Sequence, residues 1–304
     1  MAEAGASPES RLRQRAEQLA GTLPPLMARA ERVASTVAQG VHGRRRVGTG
    51  ETFWQFRRYQ PGDAAQGIDW RQSAKSQKLF VREHEWEAAQ SVWLWRDGSA
   101  SMRYRSEAAL AEKHERAGLL LLALASLLVR GGERIALLGT GERPLTGRLA
   151  VRRLAEHLEQ RGHDASADNI GLPEAERLPR FAHVVLLSDF LSPLAALEET
   201  VMGFADAVID GHLLQILDPA EEDLPFRGRT RFEGLEDEGG VTIGRVENLQ
   251  SAYREEMSRR REALLRLTRR AGWTVTSHRT DRSPQTALLA LYRAIADEML
   301  RAGW

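Results

Sequence analysis

The sequence predicts an α/β fold, a mostly parallel sheet with helices on both faces, preceded by an N-terminal helical/β module. Three observations lead there. Short apolar runs recur at Val92–Trp95, Ile135–Leu138 and Val184–Leu187, as strands buried on both faces require. Segments of helical length and periodicity separate them, the spacing that parallel strands need for their crossovers. Asp97 and Asp189 each stand two residues beyond the end of such a run, at the edge where open α/β sheets bind ligands.

The elements follow in order. Leu12, Ala16, Leu19 and Leu23 repeat at helical spacing in a polar-faced segment that Pro24-Pro25 interrupts, and a second helix is expected from Leu26 to about Ala38. A basic stretch with glycines, containing Arg44-Arg45-Arg46, leads into Thr52–Lys78, dense in aromatic and turn residues. Leu79–Trp86 alternates like a strand. From Ser91 the text becomes strand (to Arg96), helix (Glu112–Val129), strand (Arg134–Gly139), helix (Leu149–Gln160), strand (His183–Ser188), helix (Pro193–Ala205) and strand (Gly211–Leu217). The Glu112–Val129 helix becomes apolar on all sides, as expected of a helix that packs against a sheet. Beyond Pro219, Thr230–Glu236 and Val241–Arg245 read as a hairpin around Gly239-Gly240, expected to project from the sheet. A charged helix (Asn248–Arg270), a last strand (Trp273–His278) and a closing amphipathic helix (Pro284–Leu300) complete the chain. The expected division is an N-terminal helical segment over 1–40, a basic, aromatic-rich module over 41–88 and the α/β domain over 89–304.

Composition narrows the chemistry. A chain of 304 residues with 42% hydrophobic and 28% charged residues has enough apolar side chains for a large soluble core. Net charge of +1 argues against polyanion binding by bulk charge. Cysteine is absent, which removes disulfides, thiolate metal sites and cysteine nucleophiles, and suits a cytoplasmic location. Met1–Arg15 shows no signal-peptide pattern, and the longest apolar stretch, Gly118–Val129, is shorter than the roughly 20 residues of a membrane span. The sequence contains no phosphate-binding Gly-x-x-x-x-Gly-Lys-Ser/Thr loop, no Gly-x-Ser-x-Gly elbow and no His-Glu-x-x-His helix, so the reading is of a non-enzyme.

The sharpest motif is Asp97-Gly98-Ser99-Ala100-Ser101. A carboxylate and two hydroxyls at alternate positions of a tight turn can aim three oxygens at one point. A hard cation such as Mg²⁺, or Mn²⁺, takes oxygen ligands in a near-octahedral shell and keeps several waters. So few negative ligands leave the ion able to take an outside carboxylate. Asp189, at the end of a neighbouring strand, is expected to join the set. The same residues have plainer uses: Asp-Gly-Ser is an ordinary turn, and Ser101 or Asp189 an ordinary helix cap.

These residues resemble the metal-ion-dependent adhesion site of von Willebrand factor A domains, Asp-x-Ser-x-Ser with a distant Thr and Asp. The likeness covers about Ser91–Asp218, and it implies a von Willebrand factor A-like (Rossmann-like) sheet. A threonine from a third loop is then expected; Thr146 is the candidate, with Thr140 behind it. Upstream, Gly48-Thr49-Gly50-Glu51-Thr52-Phe53, Arg57-Arg58-Tyr59-Gln60-Pro61-Gly62-Asp63 and Ile68-Asp69-Trp70-Arg71-Gln72-Ser73-Ala74 resemble the signature of the bacterial domain of unknown function 58 family. Tyr253, Ala271-Gly272-Trp273 and Thr280-Asp281 extend the likeness. The resemblance implies work beside a MoxR-type AAA+ ATPase in the maturation or remodelling of a client protein. Arg57, Arg58 and Arg71 are then candidates for steering the partner. Two other readings stand beside this one. The basic 41–82 segment, with Phe53, Trp54, Phe56, Tyr59 and Trp70 interleaved, has the composition of a nucleic-acid surface, although no nucleic acid is expected from the neutral chain. Asp97 at a strand end also fits a metal-dependent phosphohydrolase, but Ser99 stands where such enzymes place a second aspartate.

Overall fold

The computed structural model describes residues 25–40, 53–58, 73, 79–84, 91–163, 171–174, 176–235 and 239–302. In chain order the longer elements are α1 (Pro25–Gly40), β1 (Phe53–Arg58), β2 (Phe80–His84), β3 (Ser91–Arg96), α2 (Lys113–Arg130), β4 (Arg134–Leu137), α3 (Gly147–His163), β5 (His183–Ser188), α4 (Leu194–Asp206) and β6 (Asp210–Leu217). They continue with α5 (Pro219–Asp223), β7 (Thr230–Glu233), β8 (Gly240–Ile243), α6 (Gln250–Ala271), β9 (Thr274–Arg279) and α7 (Pro284–Ala302).

Five strands form one parallel sheet in the order β4-β3-β5-β6-β9. Period-two alternation divides its side chains between two cores. Val92, Leu94, Val185, Leu187, Leu214 and Ile216 face a layer made by α1, α2, α3 and α7. Trp93, Trp95, Val184, Leu186 and Leu213 face Leu197, Val201 and Phe204 of α4 and Leu264 and Leu267 of α6. Both faces of each central strand are thus covered, which is why these strands read as unbroken apolar runs. Helix α2 is buried from Ala117 to Leu128 because the sheet lies on one side and α1 contributes Ala30, Val33, Ala34 and Val37 to the same core. Glu31 of α1 accepts from Ser126 and pairs with Arg130. The helix expected from Leu26 to about Ala38 is therefore part of the main core, while the Leu12–Leu23 repeat lies outside the described residues.

β1 and β2 pair antiparallel, with an irregular register between Phe53 and Gln55. β7 and β8 form the expected antiparallel hairpin. Two glycines matter for the frame. Gly272 ends α6 with φ of 73°, the left-handed conformation in which the last helical carbonyls are satisfied. Gly211 lies beneath the Trp273 indole, which would meet a Cβ at 2.3 Å.

Strand order places the functional edge. The chain leaves β3 to one side to form β4, then returns to form β5 on the other side of β3. The loops after β3 and β5 therefore diverge, and a crevice opens between them at the carboxyl edge. Asp97 and Asp189 lie on these two loops.

Candidate functional site

Asp97 leaves β3 tied to its neighbour, its N–H donating to the Leu187 carbonyl at 2.9 Å. Its side chain is buried, 1% exposed. Oδ1 accepts from the Ser99 N–H at 2.8 Å and Oδ2 from the Ser188 hydroxyl at 2.6 Å. The Ser99 and Ser101 hydroxyl oxygens are 3.0 Å apart, so the motif does turn its oxygens together. Burial pushes the Asp97 carboxyl above the usual carboxylate range, against the hydrogen bonds from Ser188 and Ser99, and nearby Asp189 adds to the upward push. A group that resists its own charge gains most from a cation beside it. The donor set of one carboxylate and two hydroxyls consists of hard oxygens and fits a Mg²⁺-type ion.

Asp189 is placed beside Asp97 but is already engaged. Lys113, with no exposed surface, sends its ammonium to Asp189 Oδ2 at 2.8 Å and also to Glu221. Asp189 Oδ1 accepts from the Leu191 N–H at 3.0 Å, and Gln215 donates to the Asp189 carbonyl. Glu221 is set by the short helix α5: Asp218 caps it by accepting from the Ala220 N–H at 2.8 Å, and Glu221 Oε2 accepts from the Asp218 N–H at 2.8 Å. Burial alone would lower the Lys113 pKa; Asp189 and Glu221 overcome it and hold the ammonium above its usual range. Lys113 is thus a resident cation, and Asp189, expected from the sequence to join the Asp97 set, lines the same cleft as a member of a buried ion triad. Sequence reasoning passed over Lys113, Glu221 and α5. A signal was present: a lysine as first residue of a helix that is apolar from Ala117 onward sits at the positive end of the helix dipole and calls for acidic partners.

These groups line one side of a cleft of about 580 Å³. Its opposite wall is the hairpin region, through Phe232, Glu233, Gly234 and Leu235, with Phe226 packed edge-on against Phe232 at 5.5 Å. The hairpin expected to project from the sheet therefore borders the site through its first strand. Tyr253 also lines the cleft and donates to the Glu221 carbonyl; its hydroxyl pKa is pushed up to about 12 by burial and by Glu221. Arg260 of α6 holds the loop after β5 by donating to the carbonyls of Phe190 and Ser192.

Thr146 is not at this edge. After β4 the chain doubles back, and Leu145 pairs antiparallel with Ile135 near the start of that strand. This carries Thr146 towards the amino end of the sheet, where it is exposed. Thr140 stays at the carboxyl end but donates to the Leu137 carbonyl at 2.8 Å within its own turn. Gly171 lines the cleft, and a Cβ there would lie 4.0 Å from Asp97 Oδ2. Arg57 and Arg58 belong to β1, while Arg71 and most of the basic 41–82 segment lie outside the described residues. Among the described residues no helix is long and apolar enough to cross a membrane.

Comparison with known proteins extends beyond this edge. The chain is 27% identical over 284 residues to uncharacterized proteins of Mycobacterium bovis and Mycobacterium tuberculosis, covering 87% of this chain and 86% of each relative. Among solved structures it is similar to the conserved hypothetical protein BatB from Bacteroides thetaiotaomicron, with 13% identity, a TM-score of 0.41, and coverage of 70% of this chain and 99% of that one. A second is an aerotolerance-related membrane protein from Bacteroides fragilis, with 15% identity, a TM-score of 0.37, and coverage of 68% and 99%. The family pattern described as protein of unknown function DUF58 matches residues 55–263, more than half of the chain. The chain therefore belongs to the DUF58 family.

Proposed function

We propose that this protein is a von Willebrand factor A-like adaptor that grips a partner protein through a divalent cation held at Asp97, Ser99 and Ser101. The observation that carries the reading is that all three residues line one cleft of about 580 Å³, with the two hydroxyl oxygens 3.0 Å apart. A bound Mg²⁺ would supply an open position for an acidic side chain of the partner. The chain's own residues do the rest. Ser188 and the Ser99 N–H orient Asp97. Lys113 offsets part of the negative charge of Asp189 and Glu221, which lessens their repulsion of an acidic ligand. Phe226, Phe232 and Leu235 offer apolar surface beside the polar floor. The partner fitting the family resemblance is a MoxR-type AAA+ ATPase, and Arg57, Arg58 and Arg71 would speed its approach by long-range attraction to an acidic surface.

Complex formation with such an ATPase is expected to require divalent metal. It should be lost in EDTA and in Asp97→Ala or Ser99→Ala, with unchanged circular dichroism. Calorimetric titration should show modest Mg²⁺ binding to wild type and none to Asp97→Ala. Arg57→Glu should slow association, and more so at low salt than at high salt. A complex that survives EDTA and the Asp97 change would place the binding surface elsewhere.

A further inference from the structure

A second cluster of metal-ligating side chains lies at the opposite, amino edge of the sheet. His183 begins β5 and His212 lies at the start of β6, with His183 paired to Asp210 in the parallel register. Residues two apart share a face of a strand, so His183 and His212 are diagonal neighbours on one face. Their rings stack with centroids 6.4 Å apart, and both residues have no exposed surface. Glu298 of the C-terminal helix α7 reaches down to the same point. One ligand atom from each of the three residues falls within 4.8 Å of the others.

The contacts within the cluster favour a cation at its centre. Thr274 Oγ1 lies 2.7 Å from His212 Nδ1 and can accept its proton. That leaves a lone pair on Nε2, the arrangement by which a metal-bound histidine is oriented from behind. Nε2 then stands 3.0 Å from Glu298 Oε2, a lone pair facing a carboxylate, and the two atoms lack hydrogen-bond alignment. An imidazolium–carboxylate pair would account for the distance alone. It would account neither for the missing alignment nor for a second imidazole directed to the same space.

We infer that His183, His212 and Glu298 form a second metal site, for a borderline transition ion such as Zn²⁺, that clamps α7 to the amino edge of the sheet. Two imidazoles and one carboxylate suit such an ion and not Mg²⁺, which prefers an all-oxygen shell. With bonds of about 2.1 Å, tetrahedral ligand atoms stand roughly 3.4 Å apart, so the side chains need draw inward by only about an ångström. Three protein ligands leave a fourth position for water. The site shares no residue with the Asp97 cleft and does not depend on its function.

The test is titration of the chelator-stripped full chain with Zn²⁺, followed by calorimetry and thermal melting. The expected result is one equivalent of tight binding that raises the Tm, because an ion bound only by the folded state stabilises it. Glu298→Gln and His212→Gln should lose that equivalent and the rise in Tm, whereas Asp97→Ala should keep both. Glu298 is partly exposed, so Glu298→Gln carries the test if His212→Gln fails to fold. Co²⁺ should give a visible absorption band in wild type that Glu298→Gln lacks. Absence of the equivalent in wild type, or its persistence in a folded Glu298→Gln chain, would overturn the site.

Discussion

Lys113 decides the electrostatics of the carboxyl-edge cleft. Removing it leaves Asp189 and Glu221 as like charges around an emptied space. Lys113→Met should therefore destabilise the protein by about 3–5 kcal/mol, the cost of breaking a buried ion pair from one side. The same change frees two carboxylates, so Mg²⁺ should restore part of the loss in the variant and add little to wild type. Urea unfolding with and without Mg²⁺ measures both effects. His278 on β9 makes a second residue-scale prediction. Burial, and then the Arg116 guanidinium 3.2 Å from its Nε2, depress its pKa to about 4, with Asp281 opposing weakly. The unfolded chain takes up this proton near the ordinary histidine value of 6.5 and the folded chain refuses it. The stability it contributes is thus complete above pH 6.5 and is lost as pH falls towards 4. Of that, about 2 kcal/mol should be gone at pH 5. His278→Gln should flatten this slope in urea titrations run from pH 7 to pH 5. His183 and His114, depressed by burial as well, would keep their own smaller share.

At the scale of elements, junctions hold what single strands cannot. The amino end of β6 and the loop before β9 meet where Gly211 lies under Trp273, whose indole N–H donates to the Ile209 carbonyl at 3.0 Å. Trp273 also stacks beside Phe204 of α4. A methyl at Gly211 would press into that ring, and moving the ring would break its hydrogen bond. Gly211→Ala should cost about 1–3 kcal/mol, as overpacking in a closed core does. Thermal unfolding checks this, with near-ultraviolet circular dichroism reporting displacement of the indole. The β7–β8 hairpin is the contrasting case. Two strands alone are marginal in water, and this pair rests on Phe226 against Phe232, the Gly228 N–H on Glu247 and the Val246 N–H on the Gly228 carbonyl. So lightly held an element, forming one wall of a cleft, suits a surface that adjusts to what enters.

For the whole molecule, the sheet separates two chemistries. Carboxylates and hydroxyls gather at its carboxyl edge and two imidazoles at its amino edge. β5 runs six residues from His183 to Ser188, roughly 17 Å along a parallel strand. Groups that far apart with no shared partner contribute additively. Glu298→Gln should therefore leave the Mg²⁺ affinity of the Asp97 site within twofold of wild type, and Asp97→Ala should leave the Zn²⁺ titration unchanged. Coupling between the two would mean that the sheet transmits strain from one edge to the other.

Local chemistry was enough to read the frame. The apolar runs at Val92, Ile135 and Val184, the all-round apolar helix after Lys113 and the Gly239-Gly240 turn each announce an element through periodicity or backbone freedom. A parallel sheet also obliges the residues after its strands to share an edge, so the meeting of Asp97 with Asp189 was legible too. Contacts across long separations were not. Lys113 meets Asp189 and Glu221 across 76 and 108 positions, and nothing local to a lysine records which carboxylates will surround it. Thr146 was misplaced because one antiparallel bridge, Leu145 to Ile135, reverses the chain where the sequence shows only a loop. His183, His212 and Glu298 stand apart in sequence with no metal-ligand spacing, and strand order and the docking of α7 bring them together. Which segments are strands and helices, and which edge carries the Asp97 motif, follows from the order of residues. Which charges meet follows from packing distance, and that exists only once the chain has folded.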